Sequence, residues 1–142
     1  MLDTKKKGNL TELLCLAAFT ELGYDVSVPY GDCARYDFIA DIDGQLYKIQ
    51  CKTSSKRQEG VYEFSTRSTQ VGATSTLTRS YDKNQVDFFA TIIEGKCYLV
   101  PIEQCSVRSK TLRFIPPKNG RQEGIAYAKD YELAVQLEKL KR

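Results

Sequence analysis

Residues 36–54 read YDFIADIDGQLYKIQCKTS, and two runs of alternating apolar and polar residues flank Asp43 and Gly44 in the middle of this segment. Both of these residues accept positive φ angles, so together they are a strong signal for a two-residue turn between antiparallel strands. The segment therefore predicts a β-hairpin.

The register of this hairpin follows from its turn. Ile42 then faces Gln45, and counting back along both strands places Asp37 opposite Gln50. Alternation puts Lys52 on the same face, with directly opposed Cβ atoms roughly 5 Å apart. The other face carries apolar residues, which are Phe38, Ala40, Tyr47, Ile49 and Cys51. The hairpin is therefore expected to gather an acid, an amide and a lysine on one face.

Helical and strand patterns flank the hairpin. Residues 9–22 carry apolar side chains at helical spacing (Leu10, Leu13, Leu14, Ala17, Ala18), with Asn9 as the expected N-cap and Gly23 as the C-cap. Strands are predicted at residues 24–29, 61–65, 86–93 and 97–101, and leucine spacing predicts a C-terminal helix within residues 130–142. The turn of a second hairpin is expected at Glu94, Gly95 and Lys96. We therefore expect one α/β (α+β) domain over residues 1–142, with a mixed central β-sheet flanked by helices.

Composition excludes several kinds of site. The 142 residues include no histidine, which removes His-metal centres and nucleophiles activated by an imidazole base. Five cysteines form no C-x-x-C pair, so we expect reduced thiols and no zinc ribbon. The N-terminus has no apolar stretch after its basic residues, and no segment is apolar enough to span a membrane, which predicts a cytoplasmic protein. The net charge of +3 does not by itself indicate nucleic acid.

Residues 65–85 (STRSTQVGATSTLTRSYDKNQ) are rich in Ser, Thr and Gly, and we expect a functional or partly disordered loop. Arg67, Arg79 and Lys83 in this loop suit contacts to DNA phosphates, and a solvated loop is the equal alternative. Arg35 either reaches a phosphate or pairs with a neighbouring acid. The lysines at positions 5–7 are expected in a frayed, solvated tail.

Each candidate site residue also has a purely structural interpretation. Glu12 lies three residues after Asn9 and can be the partner in a capping box. Asp37, Gln50 and Lys52 can form the solvated face of a half-exposed hairpin. The combination favours chemistry, because opposed strands converge the three polar groups on one spot.

Phosphodiester hydrolysis needs such a spot. A divalent cation must neutralise the scissile phosphate and lower the pKa of an attacking water, and Mg²⁺ takes oxygen ligands while keeping several waters. Asp37, the side-chain oxygen of Gln50 and a main-chain carbonyl near Cys51 can supply those ligands. Lys52 can orient the water or stabilise charge on the phosphate.

These residues resemble the PD-(D/E)xK nuclease superfamily, in which a helix bears a Glu, one strand an Asp, and the next strand (Glu/Gln)-x-Lys. The matching positions are Glu12, Asp37 and Gln50-Cys51-Lys52. The blocks PYGDCARYDFIAD and YKIQCKTS are similar to a small branch that includes a cyanobacterial group I intron homing endonuclease, as is the later VDFFA…CYLVPIE run. The resemblance implies a restriction-endonuclease-like core.

It also implies an Mg²⁺-dependent DNA endonuclease of homing or restriction-like character, in which Mn²⁺ can substitute. Glu12 joins the metal ligands, and double-stranded DNA and a second copy of the chain, in a dimer or tetramer, are the expected partners. Tyr36 stands where the family pattern has Pro, and Gln50 replaces the usual carboxylate. One essential Mg²⁺ is expected, and a second stays open. The alternatives are a structure-specific nuclease of the junction-resolvase kind and a DNA-binding domain that does not cleave.

Overall fold

The predicted hairpin forms the middle of a larger sheet. The structure is a computed structural model that describes residues 2–71 and 76–141, with the main chain alone for 69–71 and 76–78. Its elements in chain order are α1 (Thr4–Glu21), β1 (Asp25–Ser27), β2 (Phe38–Ile42), β3 (Gln45–Cys51), β4 (Ser55–Gln58), β5 (Val61–Ser65), β6 (Arg67–Val71), β7 (Thr76–Ser80), β8 (Phe88–Ile93), β9 (Lys96–Pro101), β10 (Ser109–Arg113) and α2 (Leu133–Leu140). Short 3₁₀ helices lie at Ile102–Gln104 and Ala128–Tyr131.

The register of the β2–β3 hairpin is the one that the turn predicts. Ile42 lies opposite Gln45, and Phe38 lies opposite Ile49. The turn residue Asp43 has a φ of 54°, which is the conformation that a two-residue hairpin turn requires. The register prediction is therefore confirmed.

The second predicted hairpin is confirmed as well, with Ile93 opposite Lys96 and positive φ angles at Glu94 (50°) and Gly95 (80°). It joins the first through parallel pairing of β3 with β8, which sets Gln50 beside Phe89. The five strands run in the order β1-β2-β3-β8-β9, and every pair except β3–β8 is antiparallel. The mixed central sheet is therefore as predicted.

Both helices pack on one face of this sheet. Cys15 and Phe19 of α1 and Leu133 and Leu137 of α2 share a buried cluster with side chains of β2, β3, β8 and β9. The ring of Phe19 meets that of Phe38 edge to face, with ring centroids 5.3 Å apart. This cluster fixes α1 against the strands that carry the candidate site.

Helix α1 differs from its prediction in two ways. It begins at Thr4, because Oδ1 of Asp3 caps it by accepting a 2.9 Å hydrogen bond from the main-chain N–H of Lys6. Asn9 is therefore inside the helix, and the basic residues 5–7 are helical instead of frayed. The C-terminal prediction holds, since Gly23 follows the helix with a φ of 91°. Most of the leucines that indicated the helix face outward, as described below.

The other face of the central sheet is covered by a second sheet. Strands β10, β5 and β4 form it in that order, and Phe64 and Leu112 pack against Phe89 and Val100 of the central sheet. Strand β5 was predicted, whereas β4 and β10 were not. In the part of the chain that the structure describes, no helix is long and apolar enough to cross a membrane.

The expected loop at residues 65–85 is a β-ribbon. Among the residues that the structure describes, strands β6 and β7 pair only with each other, antiparallel, with Arg67 opposite Ser80 and Ser68 opposite Arg79. Composition misled the prediction, because Ser and Thr suit a strand that has two solvated faces as well as they suit a loop. We call β6–β7 the ribbon from here on.

Candidate active site

Asp37 is fixed at the entrance of β2 by the strand beside it. Its main-chain N–H donates to the carbonyl of Ile49 at 2.8 Å, which continues the hairpin register by one residue. Its Oδ2 accepts a 2.8 Å hydrogen bond from the main-chain N–H of Cys51. The carboxylate is half-buried, and burial raises its pKa above the ordinary value, although the bond from Cys51 and the nearby charge of Lys52 oppose that shift.

Gln50 lies next to this carboxylate on the same strand as Cys51. Its Nε2 lies 3.4 Å from the main-chain carbonyl oxygen of Cys51, to which it donates. A rotation of the Gln50 amide group by half a turn about its last side-chain bond exchanges the positions of Nε2 and Oε1. Oε1 would then lie beside the carbonyl oxygen of Cys51. The amide and the carbonyl can therefore form one oxygen-rich edge beside Asp37.

Lys52 is held by the ribbon. Its Nζ donates to the main-chain carbonyl of Arg67 at 2.7 Å and lies 3.4 Å from the hydroxyl of Tyr81. Burial lowers the pKa of the ammonium to about 8, against the attraction of Asp37, and the positive charge of Arg35 adds to the lowering. The lysine therefore carries a poorly solvated charge close to the Asp37 carboxylate.

Glu12 comes from α1 and lies near Asp37. The neighbouring Thr11 shares a 3.0 Å hydrogen bond with the hydroxyl of Thr53, which ties α1 to the segment after β3. Burial raises the pKa of Glu12, and the negative charge of Asp37 raises it further. Because Asn9 is not the N-cap, Glu12 has no capping-box role, and its placement near Asp37 needs another explanation.

A cleft of about 590 Å³ opens in front of Asp37 and Gln50, and neither Glu12 nor Lys52 is among the residues that line it. Asp37 and Gln50 line it from the hairpin, Arg35 from the loop before β2, and Arg79 from the ribbon. The remaining lining residues are Asp32, Cys33, Ala34, Ser68 and Tyr81. The cleft therefore brings a carboxylate and an amide of the hairpin together with two guanidinium groups.

Comparison with known proteins connects this arrangement with nucleases. The sequence model of a PD-(D/E)XK endonuclease family matches residues 2–134. The chain belongs to the PD-(D/E)XK endonuclease family. A solved bacterial homing endonuclease, I-Ssp6803I, has the same fold, with a TM-score of 0.73 and 23% sequence identity over 99% of this chain and 98% of that chain. No curated protein gives a significant match.

The donor set of this PD-(D/E)XK site fits a divalent cation. Oδ1 of Asp37 and the carboxylate of Glu12 accept no hydrogen bond from the residues that the structure describes. The raised pKa of each carboxyl marks negative charge that its surroundings do not compensate. No group of three His, Cys, Asp or Glu side chains forms a metal centre within the described ranges. A cation here would therefore also use oxygens of Gln50 and Cys51, together with water, as Mg²⁺ does in many sites.

In this PD-(D/E)XK site, Arg35 both holds the ribbon by hydrogen bonds and contributes a positive charge to the cleft. Its Nη2 donates to Oγ of Ser68 at 3.0 Å and to the carbonyl of Ser80 at 3.3 Å, and its Nη1 donates to Oε1 of Gln85 at 3.3 Å. The guanidinium carbon stands 4.1 Å from the centre of the Tyr81 ring. None of these groups is an acid, so the positive charge of Arg35 stays available to the cleft.

The remaining predicted DNA contacts separate into two groups. Arg79 is exposed and lines the cleft. Arg67 belongs to the neighbouring cross-strand pair of the ribbon, is half-buried, and has a buried Nε without a hydrogen-bond partner among the described residues. Lys83 is exposed in the turn after the ribbon and is not among the residues lining the cleft. The structure therefore brings Arg79 together with Arg35, and not with Arg67 or Lys83.

Tyr81 is the site residue that sequence reasoning missed. Its ring contacts the cations of both Arg35 and Lys52, whose Nζ is 4.9 Å from the ring centroid, and meets Phe89 edge to face. The signal that was available is the single aromatic residue at the end of a long Ser- and Thr-rich segment. A lone tyrosine is a weak signal on its own, because its cationic partners, Arg35 and Lys52, come from distant parts of the chain.

Proposed function

We propose that this PD-(D/E)XK protein is a metal-dependent endonuclease that hydrolyses phosphodiester bonds in double-stranded DNA, with Mg²⁺ as the cofactor and Mn²⁺ as a substitute. Glu12, Asp37, Gln50 and Lys52 are its catalytic group. Glu12, Asp37, Gln50 and the carbonyl of Cys51 hold the cation. A homing or restriction-like activity is the first candidate, given the fold shared with a homing endonuclease.

One observation carries this proposal. The half-buried carboxylate of Asp37 has the Cys51 N–H on one oxygen, Glu12 and Lys52 as charged neighbours, and an open cleft in front of it. A hairpin face that only contacts solvent is not expected to bury charged groups of both signs, because burial without a ligand disfavours each charged form. Perturbed ionisable groups that line a cleft are typical of active sites.

The residues have distinct roles in this proposal. A divalent cation bound at the site supplies charge neutralisation at the scissile phosphate and a water of lowered pKa. Asp37, kept in one orientation by the Cys51 N–H, sets where that cation lies, and Glu12 completes the ligand set from α1. Lys52 offers its ammonium to the attacking water or to a phosphate oxygen. Arg35 and Arg79 hold the backbone of the substrate in the cleft by charge.

A structure-specific nuclease of the junction-resolvase kind is the second candidate within the same chemistry. The ribbon favours neither substrate, since a two-stranded antiparallel element can follow a groove or pack into a branch point. A DNA-binding domain without cleavage is the third candidate. It is disfavoured by the filled catalytic positions, because binding alone does not need the partly buried carboxylates of Glu12 and Asp37 near a phosphate.

Cleavage assays on plasmid and branched DNA decide between these candidates. Purified protein is incubated with supercoiled plasmid and with a synthetic cruciform, with Mg²⁺, with Mn²⁺ and with a chelator. The proposal predicts metal-dependent cleavage of the plasmid, while cleavage of the cruciform alone would favour the junction-resolvase candidate. Binding to duplex DNA with no cleavage in either metal would overturn the enzymatic proposal.

A further inference from the structure

Helix α1 has two apolar faces, and only one of them belongs to the core. Thr11, Cys15 and Phe19 are buried against the central sheet. On the opposite side, Leu10, Leu13 and Leu14 are 45%, 62% and 41% exposed. Single exposed leucines are ordinary on protein surfaces, whereas several on one helix face form a patch that marks an interaction site.

This outer stripe has charged ends. Its members recur every three or four residues along the helix, so they lie on one face. A basic residue stands at the N-terminal end and an acidic residue at the C-terminal end, and neither forms an ion pair with any described residue. We call this set the outer stripe: Lys6, Leu10, Leu13, Leu14, Ala17 and Glu21.

We propose that the outer stripe binds the same stripe of a second copy of this chain, with the two α1 helices antiparallel about a twofold axis between Leu13 and Leu14. In that register Leu13 faces Leu14 of the second copy, and Leu10 faces Ala17, a large side chain against a small one. Such alternation lets facing helices interdigitate at an interaxial distance of about 8–10 Å.

Charge complementarity supports a second copy over other occupants of the outer stripe. The same register sets Lys6 opposite Glu21, and the twofold axis repeats this pair at the other end of the contact. The two helix dipoles are then antiparallel as well. A lipid surface would take the leucines but would leave Glu21 without a partner.

The contact is narrow, and this limits its strength. An 18-residue helix is about 27 Å long, and a stripe one helix wide is smaller than the roughly 800 Å² per partner of a standard interface. We therefore expect a dimer that dissociates in the micromolar range and depends on its leucines. This dimer assigns a contact surface to the oligomer that the sequence resemblance leads us to expect, and hydrodynamic measurements test it whether or not the protein cleaves DNA.

Sedimentation velocity over a concentration series is the first test. The wild type should change from monomer to dimer as concentration rises, and Leu13→Glu should raise the dissociation constant at least roughly 10-fold, because each dimer loses two buried leucines. Leu46→Glu is the matched control, since Leu46 is 58% exposed on β3, outside the outer stripe. Circular dichroism establishes that both variants are folded. A monomeric wild type at every concentration, or equal weakening by both variants, would overturn the proposal.

A charge exchange tests the antiparallel register. Lys6→Glu and Glu21→Lys should each weaken the dimer, and the double variant should restore it. Both substitutions suit the helix dipole, so neither is expected to unfold α1. A double variant weaker than either single variant would contradict the pairing of Lys6 with Glu21. Binding of a monomeric wild type to neutral lipid vesicles, lost in Leu13→Glu, would replace the second copy by a membrane surface.

Discussion

The main-chain N–H of Cys51 holds Oδ2 of Asp37 at 2.8 Å, so one strand of the hairpin orients the carboxylate of the other. This bond uses only Oδ2 and leaves Oδ1 able to bind a ligand. An asparagine at position 37 can accept the same bond through its own Oδ1. Substitution at this position can therefore remove charge with little change in structure.

Asp37→Asn should reduce Mg²⁺-dependent plasmid cleavage at least ~100-fold, the size of effect that removal of one charge-stabilising group produces. DNA binding without metal should be equal or stronger, because a negative charge near the phosphate is lost. Lys52→Ala should reduce cleavage similarly but weaken binding, because it removes a cation. Cleavage rates and fluorescence anisotropy measure both effects. Wild-type cleavage by both variants would refute the assignment of the catalytic group.

Asp37→Asn should also stabilise the metal-free protein. The pKa of Asp37 is raised in the folded state, so above its ordinary pKa the charged carboxylate favours unfolding. Loss of that charge should add roughly 0.5–2 kcal/mol to the free energy of unfolding. Urea denaturation at neutral pH measures the difference. Added Mg²⁺ should stabilise the wild type and not the variant, and a variant less stable than the metal-free wild type would contradict this account.

The lowered pKa of Lys52 predicts how the free energy of unfolding changes with pH in alkaline solution. Its folded pKa of about 8 lies below the ordinary value of 10.5, so the unfolded chain binds more protons between these two values. The contribution of Lys52 to the free energy of unfolding should therefore rise with pH from about 8 to 10.5.

The measurement compares urea denaturation of the wild type and of Lys52→Met across this pH range. The variant should lack part of the rise, and Lys83→Met, which changes an exposed lysine, should retain it. Parallel curves for the wild type and Lys52→Met would show that the ammonium is well solvated in the folded protein.

Arg79 should contact a DNA phosphate, and Arg67 should not. Arg79→Ala should lower the slope of log affinity against log salt by about 0.9, the value for one phosphate contact. Arg67→Ala should leave the slope unchanged, because Arg67 is half-buried and is not among the residues lining the cleft. Arg108→Ala, an exposed arginine outside the cleft, is the control. Equal slopes for all three variants would remove the ribbon from the DNA surface.

Tyr81 should act by positioning Lys52 and Arg35. Tyr81→Ala should reduce the cleavage rate roughly 10-fold, within the range expected for loss of cation–π contacts in a poorly solvated site. Tyr81→Phe keeps the ring that both cations contact and should restore the rate to within about 3-fold of the wild type. If Phe and Ala are equally slow, the 3.4 Å contact of the hydroxyl with Lys52 carries the effect instead.

The sequence predicted what is local and periodic. The Asp43–Gly44 turn and strict alternation were enough to place Asp37 beside β3, because a two-residue turn leaves one register and a slip by one residue would invert the faces. A similar turn signal placed the second hairpin, and leucine spacing placed the C-terminal helix. These features depend on residues that are close together in the chain.

What the sequence did not predict depends on distant contacts. The bond from Lys52 to the carbonyl of Arg67 has no local signal, because every residue offers a carbonyl. The outward leucines of α1 and its buried Cys15 look alike in a helical pattern, since apolar residues occupy both faces. The cationic partners of Tyr81, Arg35 and Lys52, lie far from it in the chain. Tertiary packing decided each of these outcomes.

Two of the hydrogen bonds that hold the ribbon are accepted by its main-chain carbonyls and do not depend on its own side chains. Lys52 donates to the carbonyl of Arg67, and Arg35 donates to the carbonyl of Ser80. Arg67 and Ser80 face each other at the base of the ribbon. Replacing ribbon side chains leaves both main-chain bonds in place. Under the proposed function, lineages of this enzyme can therefore acquire new target preferences by altering the ribbon while inheriting the hydrolytic group unchanged.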